Sequence, residues 1–429
     1  MIAMNRRYSF FALLTFLLIF SMSFYQSCSM AVMLAWTIVG VFGINLAGDK
    51  TDKILFATEV CMLLFFAVNA LSLFFSFDKI EGLRNLQSFL PFAIVPIMAL
   101  SYSNNLKDNY IQLLKIFVLG VLSSSAICLL AALVRSFHIV DGSLIFNPYI
   151  GFRNQFVYTH LSIFLYTNTF AMCIVFAAAV LVWALLFRKP HRKWLLYSGL
   201  ALCILMIFLL SSRTNVYALF AVLYISVLVF YLRFKKLVHS VALLIAVTGL
   251  FWVFQTCNYR VLNLSKQVTS YITEEDIVMD NGYVIQHPQA IENVNIRFQM
   301  WETGAKLLRR YWLTGCGIGD YKGVLRSEYQ FDGIDEAYQK GYDQHNQYIE
   351  TFATAGVLGG FMLLIIMLLS LISAWRNRNY LLFCCLLIVA LNMMLESMLN
   401  RFSASMFFVI ALLLSMYAKH PDLPAEQLA

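Results

Sequence analysis

The sequence predicts an all-α polytopic membrane protein of about twelve transmembrane helices, with a long, partly helical external loop between the ninth and tenth. Three observations carry this expectation. The 429 residues are 61% hydrophobic and only 13% charged, whereas a soluble domain carries about 25% charged residues and could not cover so much apolar surface. Apolar stretches of spanning length recur near residues 8–25, 28–47, 54–77, 86–103, 110–134, 161–187, 194–210, 215–232, 237–256, 346–373, 380–398 and 403–418. One segment, from about Cys257 to Gln344, is too polar to span and too long for a turn.

In chain order, Arg6-Arg7 precede the first apolar run, and no small-x-small cleavage site follows it. Tyr25-Gln26-Ser27-Cys28 lacks the small residues expected before a lipoprotein cysteine, so the run is expected to stay as the first helix. With the N-terminus cytoplasmic, the densest basic clusters all fall on the inner side. They are Arg188-Lys189-Pro190-His191-Arg192-Lys193, Arg233-Phe234-Lys235-Lys236, Arg376-Asn377-Arg378 and Lys419. The organisation is then residues 1–256 as helices one to nine, 257–344 as the external loop, 345–420 as helices ten to twelve, and 421–429 as a cytoplasmic tail.

The net charge of +8 is accounted for by these topology signals and does not call for nucleic acid. The external side, periplasmic in a Gram-negative cell, holds arginines that the topology rule disfavours: Arg84, Arg153, Arg213 and Arg297. Within the loop, Ile291, Val294, Phe298, Trp301, Ala305 and Leu308 recur at helical spacing and predict an amphipathic helix over about 291–310, with Arg297 at the edge of its apolar face. Gly315-Cys316-Gly317-Ile318-Gly319 breaks that helix and lacks the GK[ST] ending of a phosphate loop.

Most of the nine cysteines sit in apolar runs, where they pack as small hydrophobes. Cys257 and Cys316 are the two in the polar segment, open to a disulfide in an oxidising compartment or to remaining free thiols. The acidic patch Glu274-Glu275-Asp276 has the form of a divalent-ion motif, but no matching ligand cluster accompanies it, so a solvated loop is the expectation. No metal and no cofactor are expected.

Ser212-Arg213 closes a span with almost no loop, which leaves Arg213 at the hydrocarbon edge, as a snorkelling side chain or as a functional charge. Asp343-Gln344-His345-Asn346 ends the loop and begins the tenth span. His345 is a titratable group at the water-facing end of that helix, and Asn346 offers a donor and an acceptor suited to a sugar hydroxyl or to orienting the imidazole. Gly356, Gly359 and Gly360 follow as a small-residue ladder suited to close helix packing.

The arrangement His345-Asn346, nine residues, Gly356-x-x-Gly359-Gly360 resembles the signature of the O-antigen ligase family, in the superfamily shared with O-antigen polymerases. Ser212-Arg213, Arg297…Trp301, the glycine turn and the long external loop match as well. Tyr158-Thr159-His160-Leu161-Ser162 is similar to an external His/Ser segment in some branches, and the likeness covers the chain from about Gly151 onward.

The resemblance implies transfer of a preassembled glycan from undecaprenyl diphosphate to a lipid A-core sugar hydroxyl, on the periplasmic face of the inner membrane. It implies Arg213 and Arg297 as a clamp on the diphosphate and His345 as the group serving the acceptor. Ser212, Asn346, Arg84, Arg153 and His160 are further expected to line the substrate site. Guanidinium forks bind phosphate oxygens bidentately and stay charged at any accessible pH, so they need no metal. An O-antigen or capsule polymerase uses the same donor, and a protein O-oligosaccharyltransferase shares the motif. A transporter or flippase is the different class, disfavoured by the gathering of candidate residues on one face.

Overall fold

The computed structural model describes residues 2–41, 52–140, 143–150, 153–188, 190–257, 277–278, 284–285 and 287–418. The acidic patch at 274–276, Lys189, Lys419 and the tail at 421–429 lie outside the described residues. Sixteen α-helices are described, with three two-stranded hairpins between them. Eight stretches are long and apolar enough to cross a membrane, and four shorter apolar helices accompany them.

The first helices are α1 (Ile2–Ser21), α2 (Gln26–Val41) and α3 (Lys53–Phe75). The span expected at 86–103 is a composite: α4 (Lys79–Leu86), one 3-10 turn (Gln87–Phe89), then α5 (Leu90–Ser101). Pro91 stands in its first turn, where a missing N–H costs nothing. Next comes α6 (Ser103–Arg135), followed by strands β1 (Phe137–Val140), β2 (Ser143–Phe146), β3 (Tyr149–Ile150) and β4 (Arg153–Asn154).

The expected span at 161–187 starts late. Residues 161–166 are irregular, and α7 runs only over Thr167–Phe187. Every residue of α7 from Thr169 to Val182 is buried, which is why its sequence is apolar all round. Around it stand α8 (Lys193–Leu210), α9 (Arg213–Phe234), α15 (Tyr380–Leu395) and the buried α16 (Phe402–Tyr417), with α10 (Leu237–Cys257) packed on α9.

The external segment contributes β5 (Ile277–Val278), β6 (Val284–Ile285), α11 (His287–Arg310), α12 (Tyr321–Phe331) and α13 (Asp335–Lys340). Its apolar face is not the one expected from spacing. Met300, Thr303, Gly304 and Leu307 are buried, whereas Phe298 is exposed and stacks edge-on against Trp301. Met300 and Leu307 pack with Tyr321, Leu325, Tyr329, Ile334, Ala337 and Ala353 as a second core. A hydroxyl and a glycine hide this stripe: Thr303 donates to Asp332 at 2.6 Å, and Gly304 is the seat of the Gln344 amide.

Helix α14 (Gln347–Arg376) is broken. Gly356 has φ 66° and ψ −166°, so the ten-residue turn Gln347–Gly356 is separated from a membrane-crossing half of about 30 Å. The glycine turn fills the break. Cys316 N donates to Ala353 O at 2.9 Å, Gly317 N to Thr354 O at 3.0 Å, and Val357 N to Trp312 O at 2.8 Å. The same turn grips the α3–α4 corner, where Gly319 N donates to Ser76 Oγ and the Asp320 carboxylate accepts from Phe77 N and Asp78 N. Its N–H groups are thus spent on protein oxygens and are not an anion cradle. Gly359 lies against Val68 of α3, and Gly360 under the Phe352 ring.

The basic loops share one end of the bundle. Arg188 donates to Tyr110 OH at 2.6 Å, Arg233 lies over the Phe187 ring, Phe187 meets Tyr380, and Asn379 donates to Ser415 O. Cys257 and Cys316 are both free thiols.

Gly356→Ala should be costly. A Cβ there meets Leu313 O in a left-handed backbone, a strain of about 1–3 kcal/mol before any clash. The expected outcome is a lowered thermal midpoint in detergent; an unchanged midpoint would mean that the break can close without loss.

Candidate functional site

Opposite the basic loops, four helix ends meet. His345 is the residue before the cap of α14 and has a left-handed backbone, φ 49°. Asn346 is the cap itself: its Oδ1 accepts from Ile349 N at 3.1 Å, and its side chain is buried. An acceptor used in this way supports the helix, worth about 1 kcal/mol.

His345 Nδ1 stands 3.2 Å from Glu396 Oε2, with the two side chains 26% and 12% exposed. Burial would raise the Glu396 carboxyl, but the hydrogen bond to His345 and the charges of His345, Arg297 and Arg401 outweigh it and leave it below its ordinary value. Glu396 is therefore an ionised acceptor at neutral pH, so the proton of this hydrogen bond belongs to Nδ1. Nε2 is the nitrogen left to face a substrate. Tyr342 packs its ring edge-on against the imidazole.

Glu396 follows the end of α15 and opens the turn 396–401 into α16. That turn is held on every side. Leu399 N donates to Gln347 Oε1 at 2.7 Å, Ser88 Oγ donates to Asn400 O at 2.9 Å, and Arg401 lies 3.8 Å over the Tyr166 ring. Glu350, buried one turn into α14, faces Ser397 and Asn400. Its Oε2 has no hydrogen-bond partner and borders a polar cavity of about 20 Å³, also lined by Asn69, Asn85, Thr354 and Asn400. That is room for about one water, which would satisfy these atoms.

Ser212 caps α9 and donates to Asn168 Oδ1 at 2.8 Å, so Arg213 occupies the first turn of α9, half-buried. Asn215 forms a reciprocal amide pair with Asn392, both bonds 3.1 Å, one turn before Glu396. Arg213, Tyr166, Arg401, Glu396 and His345 are thereby tied into one end of the bundle. Arg297 is exposed on α11, with its charge acting on Glu396.

Arg84 is 72% exposed and pairs with Glu81 at 3.5 Å, a surface pair of little energetic weight. The His160 carbonyl accepts from Arg135. Arg153 pairs through its backbone with Ile150, and its side chain lies outside the description. Spacing missed Glu396, Arg401 and Tyr166. Glu396 was concealed at the end of an apolar run, although a lone carboxylate in such a run is itself a signal. Among the described residues no three His, Cys, Asp or Glu side chains gather as metal ligands.

Residues 198–364 match the family model described as O-antigen ligase. The match takes in Arg213, Arg297, His345 and the glycines, and it stops before Glu396 and Arg401. It points to a membrane glycosyltransferase of the O-antigen ligase/polymerase superfamily. No curated protein matches the chain.

Because the folded-state value of Glu396 is depressed, its ion pairing stabilises the fold above the ordinary carboxylate range and is lost as pH falls through that depressed value. Thermal midpoints of the wild type and Glu396→Gln, taken from neutral to about pH 3, should converge on acidification. A constant gap across the range would refute the assignment.

Proposed function

We propose that this protein is a glycan ligase of the outer face of the bacterial inner membrane. It would move a preassembled glycan from undecaprenyl diphosphate to a sugar hydroxyl of lipid A-core. The observation that carries the reading is the His345–Glu396 pair, on which the charges of Arg297 and Arg401 act, with His345, Arg213 and Arg297 inside the matched stretch.

The chemistry needs two things. Negative charge grows on the diphosphate as the C1–O bond breaks, and fixed cations at that place lower the barrier more than they tighten substrate binding. Arg213 and Arg297 take this role, and Arg401 adds a third cation beside them. The attacking sugar hydroxyl is a weak nucleophile, and a base that removes its proton is typically worth 10²–10⁴-fold. With Nδ1–H held by Glu396, His345 in its neutral form presents the lone pair of Nε2 to that hydroxyl. Glu396 then steadies the imidazolium as it forms, the division of labour seen in Asp–His pairs of hydrolases. Direct displacement inverts the anomeric carbon, and the diphosphate linkage supplies the energy without ATP.

The placement of the cations supports an anionic substrate. Arg213 lies in the first turn of α9, Arg401 immediately precedes α16, and His345 stands one residue before the cap of α14. A cation at a helix N-terminus is disfavoured by about 0.3–1 kcal/mol, and a bound diphosphate would reverse the sign.

Deletion of the gene should remove all glycan from lipid A-core on lipopolysaccharide gels while polymerised glycan accumulates on undecaprenyl diphosphate. A core carrying a single repeat would instead identify a polymerase, and intact lipopolysaccharide with unglycosylated proteins a protein transferase. His345→Ala, Arg213→Ala and Arg297→Ala should each abolish transfer at normal protein levels, with EDTA without effect on the wild type. Full activity in His345→Ala would sink the base role. Glu396→Gln should keep the fold at neutral pH and lose rate, by about 10²-fold or more.

A further inference from the structure

The hairpin β1–β2 has an apolar face that no other described residue covers. In its register Phe137 pairs with Phe146 and Ile139 with Leu144, so these four side chains share one face. All four are exposed, Ile139 at 79% and Leu144 at 68%, and the only ring contact among them is Phe137 against Phe146. A two-stranded hairpin of this kind is marginal in water, and an uncovered apolar strand invites aggregation.

Its position identifies what covers it. Between Lys115 and Arg135, α6 has nineteen consecutive uncharged residues, about 28 Å of helix, the thickness of the hydrocarbon layer. Arg135 therefore marks the outer hydrocarbon boundary, and Arg135 Nη2 is anchored there on His160 O at 3.0 Å. The hairpin begins two residues later and is closed at its base by Asn147 N donating to Ser136 O at 2.7 Å. Leu130, Leu133 and Val134, on the last turns of α6, are exposed as lipid-facing residues are, and the hairpin follows them directly in the chain. Over residues 136–150 the sequence has one charged residue, Asp141, at the turn. A polar tip with an apolar side fits an element lying flat along the interface, sunk about 5–10 Å at the headgroup–acyl boundary.

We infer that the β1–β2 hairpin is a membrane-surface anchor that beds Phe137, Ile139, Leu144 and Phe146 in the outer leaflet of the bilayer. The inference stands whatever reaction the protein catalyses. Residues 147–166 lead from the hairpin to Tyr166, on which Arg401 stacks, so the anchor also holds that end of the bundle at the level of the lipid headgroups.

The test uses the full chain in phosphatidylethanolamine–phosphatidylglycerol vesicles, with the exposed Cys28 and Cys257 changed to Ser. Ile139→Cys or Leu144→Cys carries a nitrobenzoxadiazole label, and Lys340→Cys on the exposed face of α13 is the reference. Lipids with a doxyl group near the headgroup should quench the hairpin labels severalfold more than the reference, and aqueous iodide should do the reverse. Iodide quenching of the hairpin labels equal to the reference overturns the anchor. Shielding from both quenchers, together with crosslinking between copies, overturns it in favour of strand pairing between two chains. Should Ile139→Cys fail to assemble, Leu144→Cys on the paired strand supplies the same reading.

Discussion

The break in α14 at Gly356 is the constraint on which the rest of the external end depends. A helix that ends inside apolar surroundings leaves carbonyls without partners, and each costs several kcal/mol where water is absent. Ala353 O and Thr354 O would be such orphans, and they are satisfied by the N–H groups of Cys316 and Gly317. The glycine turn must approach within hydrogen-bonding distance of the helix backbone to do this. A Cβ on Gly315 would meet Thr354 O, just as a Cβ on Gly356 would meet Leu313 O. Each glycine run requires the other. Because the turn also holds Ser76 and the N–H groups of Phe77 and Asp78, the break ties the external helices to both α3 and α14.

That coupling reaches the chemistry through a short lever. The first turns of α14 are set by the glycine turn rather than by the membrane-crossing half, and they hold Asn346, Gln347 and Glu350. Gln347 and Glu350 bear on the turn 396–401, which carries Glu396 to the His345 imidazole and Arg401 to the Tyr166 ring. The catalytic proposal therefore rests on two turns locked to one another, while the long helices provide little beyond a rigid frame.

The membrane class, the segments of the spans and the stretch holding His345 were legible because composition and run length report them directly. Arg213 and Arg297 stood out because external arginines conflict with the topology rule. Other features were hidden for physical reasons. Glu396 ends an apolar run that was read as membrane up to residue 398, so its charge was absorbed into a span. The buried stripe of α11 uses Thr303 and Gly304, whose burial depends on Asp332 and Gln344 across the fold and leaves no mark in local hydrophobicity. Gly356 has the spacing of a packing glycine, and only the partner turn at 315–319 shows that it is a break. That Asn346 caps α14 was hidden too, because an exposed amide and a capping amide are the same residue in sequence.

The distribution of charge gives these pieces a common direction. Arg213, His345 and Arg401 all lie at helix N-termini, where the backbone already carries partial positive charge. Arg297 approaches from α11, and its charge acts on Glu396 together with that of Arg401. Glu396 is committed to the imidazole, so it does not neutralise three arginines and three helix ends. A protein that used these arginines only to mark topology would place them on the opposite side of the membrane. On the proposed reading, the arginines at this end receive a ligand that brings more than one negative charge on a lipid anchor. A polyprenyl diphosphate meets that requirement, and an uncharged sugar acceptor needs only the single base that Glu396 keeps in register.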